Sequence, residues 1–509
     1  MKRFFEKFDR FFPVREESQN NNLAIALDRA IYFFILLTAF AAPLSIAATN
    51  AGWVLGTAAW AARFLVRPRP RFWRTSLDFA IFGFWSWCVL SCFFSYAPDL
   101  SFDRQRVLTL FPIIYLVAQN VHHPRAVKFL AAALIFSAMV TVFWTFAERG
   151  IGRGVQVFGL AANSPLARAG MQNGDTLLKV NGKKIWQPDE LTQSLEQNET
   201  VKINFYRPDY YVDVTIDRAN LLTGATATEK LGFERWERGR NWRSQAFYSH
   251  YTAYSEVLQL VMSLVLGIFV AMPRKISGLG IVLAICLAGM GGAMLLTATR
   301  ASQAGFLLAT LAIVATGTNR KVLFGVVALM LPLAVGAAIY LQQSRNTNFV
   351  DASDNSTTWR LTVWREGVGL LTKSPRHLMV GVGIDSIKRY RCEWGLFDNC
   401  TLPPGHFHST LLQIAVECGL PALLFWLLIV FRYGRTLIKT LPAYADDWFL
   451  KGILLGAFGG LVGFFAAGFV HYNLGTSIVA MVFYLIMGLG CALVITKQRR
   501  QKILETMAI

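Results

Sequence analysis

One arginine stands between two apolar runs in the stretch GGAMLLTATRASQAGFLLAT, residues 291–310. A guanidinium at the centre of a bilayer costs about 2.5–3.5 kcal/mol on insertion scales, so a residue of this kind usually serves a binding role. Arg300 is therefore a candidate for holding an anionic group. Because a guanidinium meets two phosphate oxygens at once and keeps its charge when partly buried, the chemistry that it suggests is phosphate binding.

His408 is the candidate for proton transfer. It stands in GHFHSTLLQIAVECGLPALLFW, directly before an apolar run, and neutral imidazole accepts protons near pH 7. His406 competes for the same role, and a packed or interfacial histidine is the alternative for both. Glu417, nine residues after His408, is interpreted as a helix-packing residue.

Two further arginines, Arg360 and Arg365, lie in the stretch STTWRLTVWREGVGLLTKSPRH. The pattern predicts a helix that is capped by Ser356 or Thr357 and ends before Pro375. Arg360 is preferred over Arg365 as the second residue, after Arg300, that would bind the anion.

Arg104 and Arg106 lie close together in the stretch DLSFDRQRVL. A phosphate-binding role and a charge pair with Asp99 or Asp103 are equally good interpretations of these two residues. Both stay in the candidate set.

Arg243 precedes a predicted span and completes the set of candidate arginines. Interfacial anchoring is the favoured interpretation of Arg243 over substrate binding, as it is for His250 and His471, which also stand at span ends.

No metal-ligand spacing is present in the sequence. The seven cysteines lie mostly in apolar runs, where free cysteine behaves as a small hydrophobic residue. Asp351 and Asp354 stand in a polar loop and are interpreted as solvated or capping residues. We therefore expect neither a metal nor another cofactor.

Cys392 and Cys400 enclose a short loop in CEWGLFDNC. They are candidates for a disulfide if this segment faces an oxidising compartment, with two free thiols as the alternative.

The elements that must position these residues are membrane spans. The chain has 509 residues, of which 54% are hydrophobic, a composition typical of a polytopic membrane protein. Apolar windows of about 20 residues predict about twelve spans. They lie near residues 27–48, 50–66, 77–95, 105–121, 126–147, 251–271, 277–297, 302–318, 321–341, 409–431, 449–469 and 474–495.

The charges indicate how these spans are oriented. The net charge is +19, but Lys and Arg occur in short clusters between apolar runs, which argues against a nucleic-acid partner. With a cytoplasmic N-terminus every predicted inner segment is basic, and the charged start of the chain is an amphipathic leader rather than a removed signal peptide. The long segments at about 148–250 and 342–408 then lie outside, and Arg300 stands at the outer end of its span.

Residues 150–220 differ in character from the spans. The stretch GVQVFGLAANSPLARAGMQNGDTLLKVNGKKI is followed by VKINFYRPDYYVDVTID, and its β-branched runs, its turn VNGKK and the stretch DELTQSLEQ predict strands around one helix. This part resembles a bacterial PDZ domain, and PDZ domains bind peptides by adding a strand to a sheet edge. The strand that carries the carboxylate loop should precede Gly154, where only ERGIGR remains. A docking or lid module is therefore preferred over a peptide-binding domain.

Three blocks resemble the signatures of the O-antigen ligase and polymerase superfamily. They are TATRASQAGFLLA, RLTVWREGVGLLTKSPRHLMVGVGID and HFHSTLLQIAVECGL. From His408 to Ala422 the chain is similar to the ligase pattern of histidine, a small polar residue, nine positions and Gly-x-x-Gly, with alanine in place of the last glycine. The likeness is strong over about residues 250–440, and the PDZ-like insert is not part of the usual family plan.

The resemblance implies an α-helical polytopic protein of the bacterial inner membrane, with a small α+β PDZ-like periplasmic insertion and an active site facing the periplasm. Its activity would be that of an inverting, metal-independent glycosyltransferase of GT-C type, which moves a glycan from undecaprenyl diphosphate to an acceptor. His408 would deprotonate the acceptor. The donor diphosphate would bind Arg300, Arg360, Arg365, Arg104, Arg106 and Arg243.

O-antigen ligation to lipid A-core is the preferred reaction. O-antigen polymerisation, protein O-glycosylation and, outside the enzymes, a polytopic transporter stay open. The expected partners are the lipid-linked donor, the glycan or protein acceptor and membrane lipids, with a protein partner of the PDZ-like part left open.

The predicted organisation has five parts. They are transmembrane helices at 1–148, the PDZ-like domain at 149–222, a linker and four spans at 223–341, a periplasmic catalytic loop at 342–408, and three spans with a cytoplasmic tail at 409–509.

Overall fold

The computed structural model describes residues 8–15, 18–105, 110–207, 210–345, 355–403 and 405–507. The chain divides into two compact units. The helical unit comprises residues 1–139, 247–295 and 299–509, and the sheet unit comprises 140–246 and 296–298.

Apolar sequence runs become long helices, as their periodicity and length predict. In the first part of the chain the helices are α1 (Asn22–Ala41), α2 (Ile46–Arg63), α3 (Asp78–Phe93), α4 (Pro98–Asp103), α5 (Pro112–Asn120) and α6 (Pro124–Ile151). The sheet unit adds α7 (Pro165–Arg168), α8 (Asp189–Gln197) and α9 (Ala227–Leu231). After it come α10 (Tyr251–Ala271), α11 (Gly278–Thr297), α12 (Arg300–Gly317), α13 (Arg320–Arg345), α14 (Asn355–Thr372), α15 (Pro375–Val380), α16 (Ser386–Tyr390), α17 (Thr410–Thr440), α18 (Trp448–Ala467) and α19 (Ser477–Met507).

The predicted class, an α-helical polytopic membrane protein with a small α+β insertion, is confirmed. Seven of the described helices are long and apolar enough to cross a membrane: α1, α6, α10, α11, α17, α18 and α19. The count of twelve spans stays a prediction. In the predicted window 105–121 the described helix α5 has nine residues, fewer than the roughly 20 that a span requires.

Small residues let the helices of the helical unit approach closely. A Cβ on Gly267 of α10 would lie 2.2 Å from the backbone nitrogen of Gly456 in α18. A Cβ on Gly305 of α12 would lie 2.8 Å from the carbonyl oxygen of Gly463, also in α18. Such contacts are how membrane helices pack where apolar lipid gives no hydrophobic drive. Helix α19 is central, because its most apolar stretch is buried completely.

The sheet unit contains an antiparallel sheet in the order β5-β4-β2-β1-β6, with β3 beside β2. Its strands are β1 (Arg153–Leu160), β2 (Thr176–Val180), β3 (Lys183–Lys184), β4 (Thr200–Arg207), β5 (Tyr210–Asp217) and β6 (Phe233–Gly239). The predicted turn VNGKK joins β2 to β3, with φ of 47° at Asn181 and 80° at Gly182. Two positive φ angles in succession are typical of a type I′ hairpin, which explains the Asn-Gly pair.

Strand β6 lies beyond residue 222, the predicted end of the PDZ-like part, but belongs to the same sheet. It pairs with β1 in the register Val157–Trp236 and fills the terminal position of the sheet. A strand from later in the chain therefore takes the position beside β1 in the sheet. Sequence patterns missed it because FERWERG carries alternating charges rather than a β-branched run.

Candidate functional site

His408 lies at the end of the segment 342–408, two residues before α17 begins. Its backbone has a φ of 48°, which is uncommon for a residue with a side chain. The imidazole packs between the rings of Trp359 and His406, with 4.2 Å between ring centroids in each case. The backbone N–H of His408 donates to Nδ1 of His406 over 3.1 Å. The two candidate bases are thus neighbours in one cluster.

The segment before His408 is fixed by hydrogen bonds from two helices. The indole N–H of Trp364 on α14 donates to the carbonyl oxygen of Phe407 over 2.8 Å. The backbone N–H of Phe407 donates to Oε1 of Gln413 on α17 over 2.9 Å, and Phe407 itself is fully buried. Because both backbone groups of Phe407 are bound, the next residue has little freedom to move.

Both histidines are held neutral. Burial, followed by the charges of His406 and Arg360, lowers the pKa of His408 to about 2. Burial, followed by the charge of His471, lowers the pKa of His406 to about 4. Both rings are therefore uncharged at pH 7, and each keeps one nitrogen lone pair, which in His406 already accepts the backbone N–H of His408.

A third histidine belongs to the same region. Nδ1 of His471 lies 3.0 Å from Oε1 of Glu256, a buried carboxyl group of α10. The carbonyl oxygen of His471 also accepts hydrogen bonds from the backbone N–H and the hydroxyl of Thr410, the first residue of α17. The sequence favoured interfacial anchoring for His471, but the residue is buried and joins the loop after α18 to the start of α17.

Arg300 is the first residue of α12, and it lies at the same end of the helical unit as His408. Gly305 of α12 meets Gly463 near the C-terminal end of α18, and Arg300 is about 7.5 Å nearer that end at 1.5 Å per residue. Beyond α18, the carbonyl oxygen of Gly468 accepts the backbone N–H of Thr410 over 2.8 Å. Contacts thus run from α12 through α18 to the residue two positions after His408.

Arg360 and Arg365 lie on different faces of α14. The guanidinium of Arg360 is close enough to His408 to lower the pKa of that imidazole, and Arg360 is half-buried. Five positions on a helix correspond to a rotation of about 140°, and Arg365 is exposed. The structure therefore brings Arg360 to the histidine cluster and directs Arg365 elsewhere.

The remaining candidate arginines are placed as follows. Arg104 forms ion pairs with Asp103 at 3.6 Å and Asp385 at 3.7 Å and has a half-exposed side chain. Asp99 pairs instead with Arg389, through two hydrogen bonds of 2.8 and 2.7 Å. Arg106 lies outside the described residues, and Arg243 belongs to the sheet unit.

The GLPA motif breaks α17 at Gly419, where φ is 84° and ψ is 169°. A Cβ there would lie 2.1 Å from the carbonyl oxygen of Met379. The positive φ and this close approach explain the glycine, and Pro421 lacks the N–H that a regular helix would direct to the carbonyl of Glu417. In an apolar environment a carbonyl released by such a break needs another donor.

The GVGID turn supplies those donors. The backbone N–H groups of Val382 and Gly383 donate to the carbonyl oxygens of Val416 and Glu417, each over 2.9 Å. The backbone N–H of Asp385 donates to Oε1 of Glu417 over 2.8 Å. Two separate sequence motifs therefore form one structural unit that supports α17. Glu417, which was interpreted as a helix-packing residue, accepts this hydrogen bond from the turn.

Cys392 and Cys400 are joined by a disulfide, with their Cα atoms 5.4 Å apart. The turn inside this loop is anchored by Glu366 of α14, whose carboxylate accepts the backbone N–H groups of Phe397 and Asp398 over 2.7 and 3.0 Å. Phe397 stacks on Phe407, with 6.2 Å between ring centroids. The loop thus reaches the residue next to His408.

Within the described residues, no three His, Cys, Asp or Glu side chains form a group able to hold a metal ion. The indole N–H of Trp359, beside His408, is buried and has no hydrogen-bond partner in this part of the chain. It is a donor available to an oxygen atom of a substrate, a signal that only the structure provides.

Comparison with known proteins gives two family matches and one relative. Residues 282–427 match the O-antigen ligase family model, and residues 159–207 match a PDZ domain model. The magnetosome formation protease MamE of Magnetospirillum gryphiswaldense is 50% identical over 76 residues, which are 14% of this chain and 9% of that protein. The chain thus spans less than a tenth of the length of this curated relative.

The first match includes Arg300, Arg360 and His408 and supports a role in the transfer of lipid-linked glycans. The resemblance inferred from the sequence is therefore confirmed over these two ranges: an O-antigen ligase domain at residues 282–427 and a PDZ domain at residues 159–207.

Proposed function

We propose that this protein transfers a glycan from undecaprenyl diphosphate to an acceptor hydroxyl at the periplasmic face of the inner membrane, with lipid A-core as the acceptor. The observation that carries the proposal is the neutral histidine cluster around His408, which lies beside Arg360 and at the same end of the helical unit as Arg300. These three residues fall within the range that matches the O-antigen ligase model.

The arginines would stabilise the leaving group. Breaking the bond between C1 of the donor sugar and the diphosphate leaves the bonding electrons on a diphosphate oxygen. Guanidinium groups bind phosphate oxygens through charge-assisted hydrogen bonds. Removal of one well-placed donor of this kind typically reduces kcat by about 10²–10³-fold. Arg300 and Arg360 are the residues to which we assign this role, whereas Arg104 forms an ion pair with Asp385.

His408 would accept the proton of the acceptor hydroxyl as that oxygen attacks C1. A bond forms between the acceptor oxygen and C1, the bond to the diphosphate breaks, and the proton passes to the imidazole. One displacement at C1 inverts its configuration. A pKa of about 2 makes the ring a weak base before the donor binds, and the negative charge of the diphosphate would raise that pKa towards a useful value.

The test is reconstitution of the full-length protein in liposomes with an undecaprenyl-diphosphate glycan. Lipid A-core, a second lipid-linked glycan and a periplasmic protein are offered separately as acceptors. We expect transfer to lipid A-core; transfer only to the second glycan or only to the protein would instead establish the polymerase or the protein-glycosylating reaction. An inserted protein that transfers to none of the three would contradict the proposed activity.

Variants of the same preparation test the residue roles. Arg300→Ala and His408→Ala should each lower transfer by at least 100-fold, because each removes a group that acts only in the transition state. Arg391→Ala is the matched control, since Arg391 is a half-exposed arginine of the same segment (342–408) whose guanidinium donates to the carbonyl oxygen of Lys388 over 2.6 Å. Normal transfer by either site variant would remove the mechanism.

A second proposal concerns the sheet unit: β6 accepts a peptide strand. It is one of the two terminal strands of the sheet, and Leu231 and Gly232 lead into it, with a left-handed φ of 71° at Gly232. Strand addition at such an edge uses backbone hydrogen bonds for affinity. A scan of the full-length protein against C-terminal peptides of periplasmic proteins tests this, and Trp236→Pro, which places a proline in β6, should abolish any binding that is found.

A further inference from the structure

A basic cavity of about 710 Å³ opens in the helical unit far from His408. It is lined in part by the last turns of α19, by the segment before α1 and by the segment between α2 and α3. Arg499 follows Ser477, the first residue of α19, by 22 positions, which is about 33 Å at 1.5 Å per residue. The histidine cluster is next to the start of α19, so the cavity lies at the opposite end of the unit.

Four cationic side chains line this cavity: Arg15, Arg71, Arg499 and Lys502. No carboxylate is found among the lining residues that the structure describes. Asp28, which pairs with Arg15 at 3.6 Å, is buried and already accepts a hydrogen bond from the buried guanidinium of Arg63 over 3.2 Å. The local charge of the lining is therefore strongly positive.

The arginines are arranged around Trp73. The guanidinium carbons of Arg71 and Arg499 each lie 5.0 Å from the centroid of a Trp73 ring. These cation–π contacts hold two charges of the same sign close together from distant parts of the chain. A pair of guanidinium groups held in this way presents several N–H donors to one anion.

His122 adds a polar atom to the same cavity. Its Nδ1 is buried and has no hydrogen-bond partner in the described part of the chain. Burial, followed by the charges of Arg499 and Arg15, places the pKa of His122 well below its ordinary value. The ring is therefore neutral at pH 7 and can take up a proton or a hydrogen bond when an anion offsets the surrounding charge.

Apolar side chains complete the surroundings. Ile503 and Met507 line the cavity, and both are exposed, as is Leu504 between them. An amphipathic helix end with exposed apolar residues and a basic face is typical of a segment that lies at a membrane surface. Charge balance along the chain also predicts the cytoplasmic surface for this end.

We propose that this cavity binds the phosphate headgroup of an anionic membrane lipid. The phosphate oxygens would meet Arg71, Arg499 and Arg15, Lys502 would add a fourth charge, and the lipid chains would extend along the apolar end of α19. Basic pockets between membrane helices on the cytoplasmic side are suited to such headgroups. The proposal does not depend on glycan transfer, since no residue of the transferase site takes part in it.

The test measures lipid binding by the full-length protein in native mass spectrometry, with phosphatidylglycerol, phosphatidylcholine and inorganic phosphate supplied separately. We expect retention of phosphatidylglycerol at least tenfold above phosphatidylcholine in the wild type. The double variant Arg71→Gln/Arg499→Gln should lose that preference. The double variant Arg74→Gln/Arg500→Gln, which changes two exposed neighbours outside the cavity, should keep it.

Lys502→Gln gives a second variant that cannot disturb the packing beneath the cavity, because Lys502 is exposed. It should weaken retention of phosphatidylglycerol several-fold. If the wild type, Arg71→Gln/Arg499→Gln and Lys502→Gln all retained phosphatidylglycerol equally, the proposed site would be wrong. Binding of inorganic phosphate that displaces phosphatidylglycerol completely would overturn the assignment to a lipid, because the cavity would then be a site for a free anion.

Discussion

At the scale of single residues, the neutral state of His408 follows from its neighbours rather than from its own chemistry. An exposed histidine titrates near 6.5. Here Trp359 and His406 remove water from the ring, and Arg360 adds a positive charge that disfavours protonation. A base that is neutral in the free enzyme and gains basicity from the charge of its substrate is suited to act only when the donor is bound.

The same pKa shifts predict how stability depends on pH. The folded pKa values of His408 and His406 are about 2 and about 4, below the unfolded value of about 6.5. The unfolded chain therefore binds protons that the folded chain does not, so this contribution to stability is complete above about pH 6.5 and is lost as the pH falls towards about 4 for His406 and about 2 for His408. Each histidine contributes a slope of up to roughly 1.4 kcal/mol per pH unit.

Thermal unfolding in detergent between pH 7.5 and 4.5 measures this slope. His406→Asn should lose less stability on acidification than the wild type. His250→Asn is the control, because His250 is exposed and its N-cap hydrogen bond to Thr252 is one that asparagine can also form. Identical pH profiles for the wild type and His406→Asn would contradict the assignment of a depressed pKa.

At the scale of elements, the support of α17 depends on one turn. Gly383 has a φ of 96°, and a Cβ on it would lie 1.9 Å from Oγ of Ser95. Ser95 cannot turn away easily, because its hydroxyl is hydrogen-bonded to the hydroxyls of Ser101 and Ser386 at 2.7 and 2.8 Å. The GVGID turn therefore packs against the end of α3, α4 and α17, and the close contact at residue 383 is possible only for glycine.

Gly383→Ala should destabilise the protein by roughly 1–3 kcal/mol for the positive φ alone, with a further cost for displacing Ser95. Glycan transfer should fall with it, since the start of α17 follows His408. Gly369→Ala is the matched control: Gly369 is inside α14 with open space around its Cα, so alanine should be neutral or stabilise by about 0.5–1 kcal/mol. Thermal unfolding and transfer assays on both variants check this, and equal stability of the two would refute it.

At the scale of the whole molecule, the proposed chemistry belongs to one unit. Arg300, Arg360 and His408 are all in the helical unit, whereas the sheet unit has a separate buried core that includes Val157, Leu177 and Phe205. A unit with its own core can be removed without opening the core of the other.

Deletion of residues 153–239 should therefore preserve glycan transfer to a lipid acceptor within a few-fold and change the choice of protein partner. The deletion has to include β6, because a cut at residue 220 would leave that strand unpaired. Arg153 and Gly239 are partners in the sheet, so the two ends are about 5 Å apart and a Gly-Ser linker joins them. A deletion variant that inserts into the membrane but transfers nothing would show that the sheet unit takes part in the chemistry.

Whether glycan transfer depends on a divalent metal ion is also decided by the whole site. If arginines alone stabilise the diphosphate, transfer should be unchanged after treatment with EDTA, because no divalent ion is needed to neutralise the leaving group. The check is the reconstituted assay with and without the chelator, followed by addition of Mg²⁺ or Mn²⁺. A strict requirement for either ion would refute the arginine mechanism.

The sequence by itself determined the features that depend on neighbours along the chain. These are the apolar helices, the position of Arg300 at a helix end, the Asn-Gly hairpin and the resemblance that led to the two confirmed family matches. Periodicity, turn chemistry and motif spacing are local, so a single sequence records them.

The tertiary structure decided which distant residues meet. Glu256 and His471 are 215 positions apart, β6 pairs with β1 across most of the sheet unit, and the arginines that surround Trp73 come from opposite ends of the chain. Such contacts depend on how helices and strands pack, and packing is set by shape and burial summed over the whole fold rather than by any pattern along the chain. For the same reason the sequence could nominate His408 as a base, but only its surroundings in the folded protein show that it is neutral.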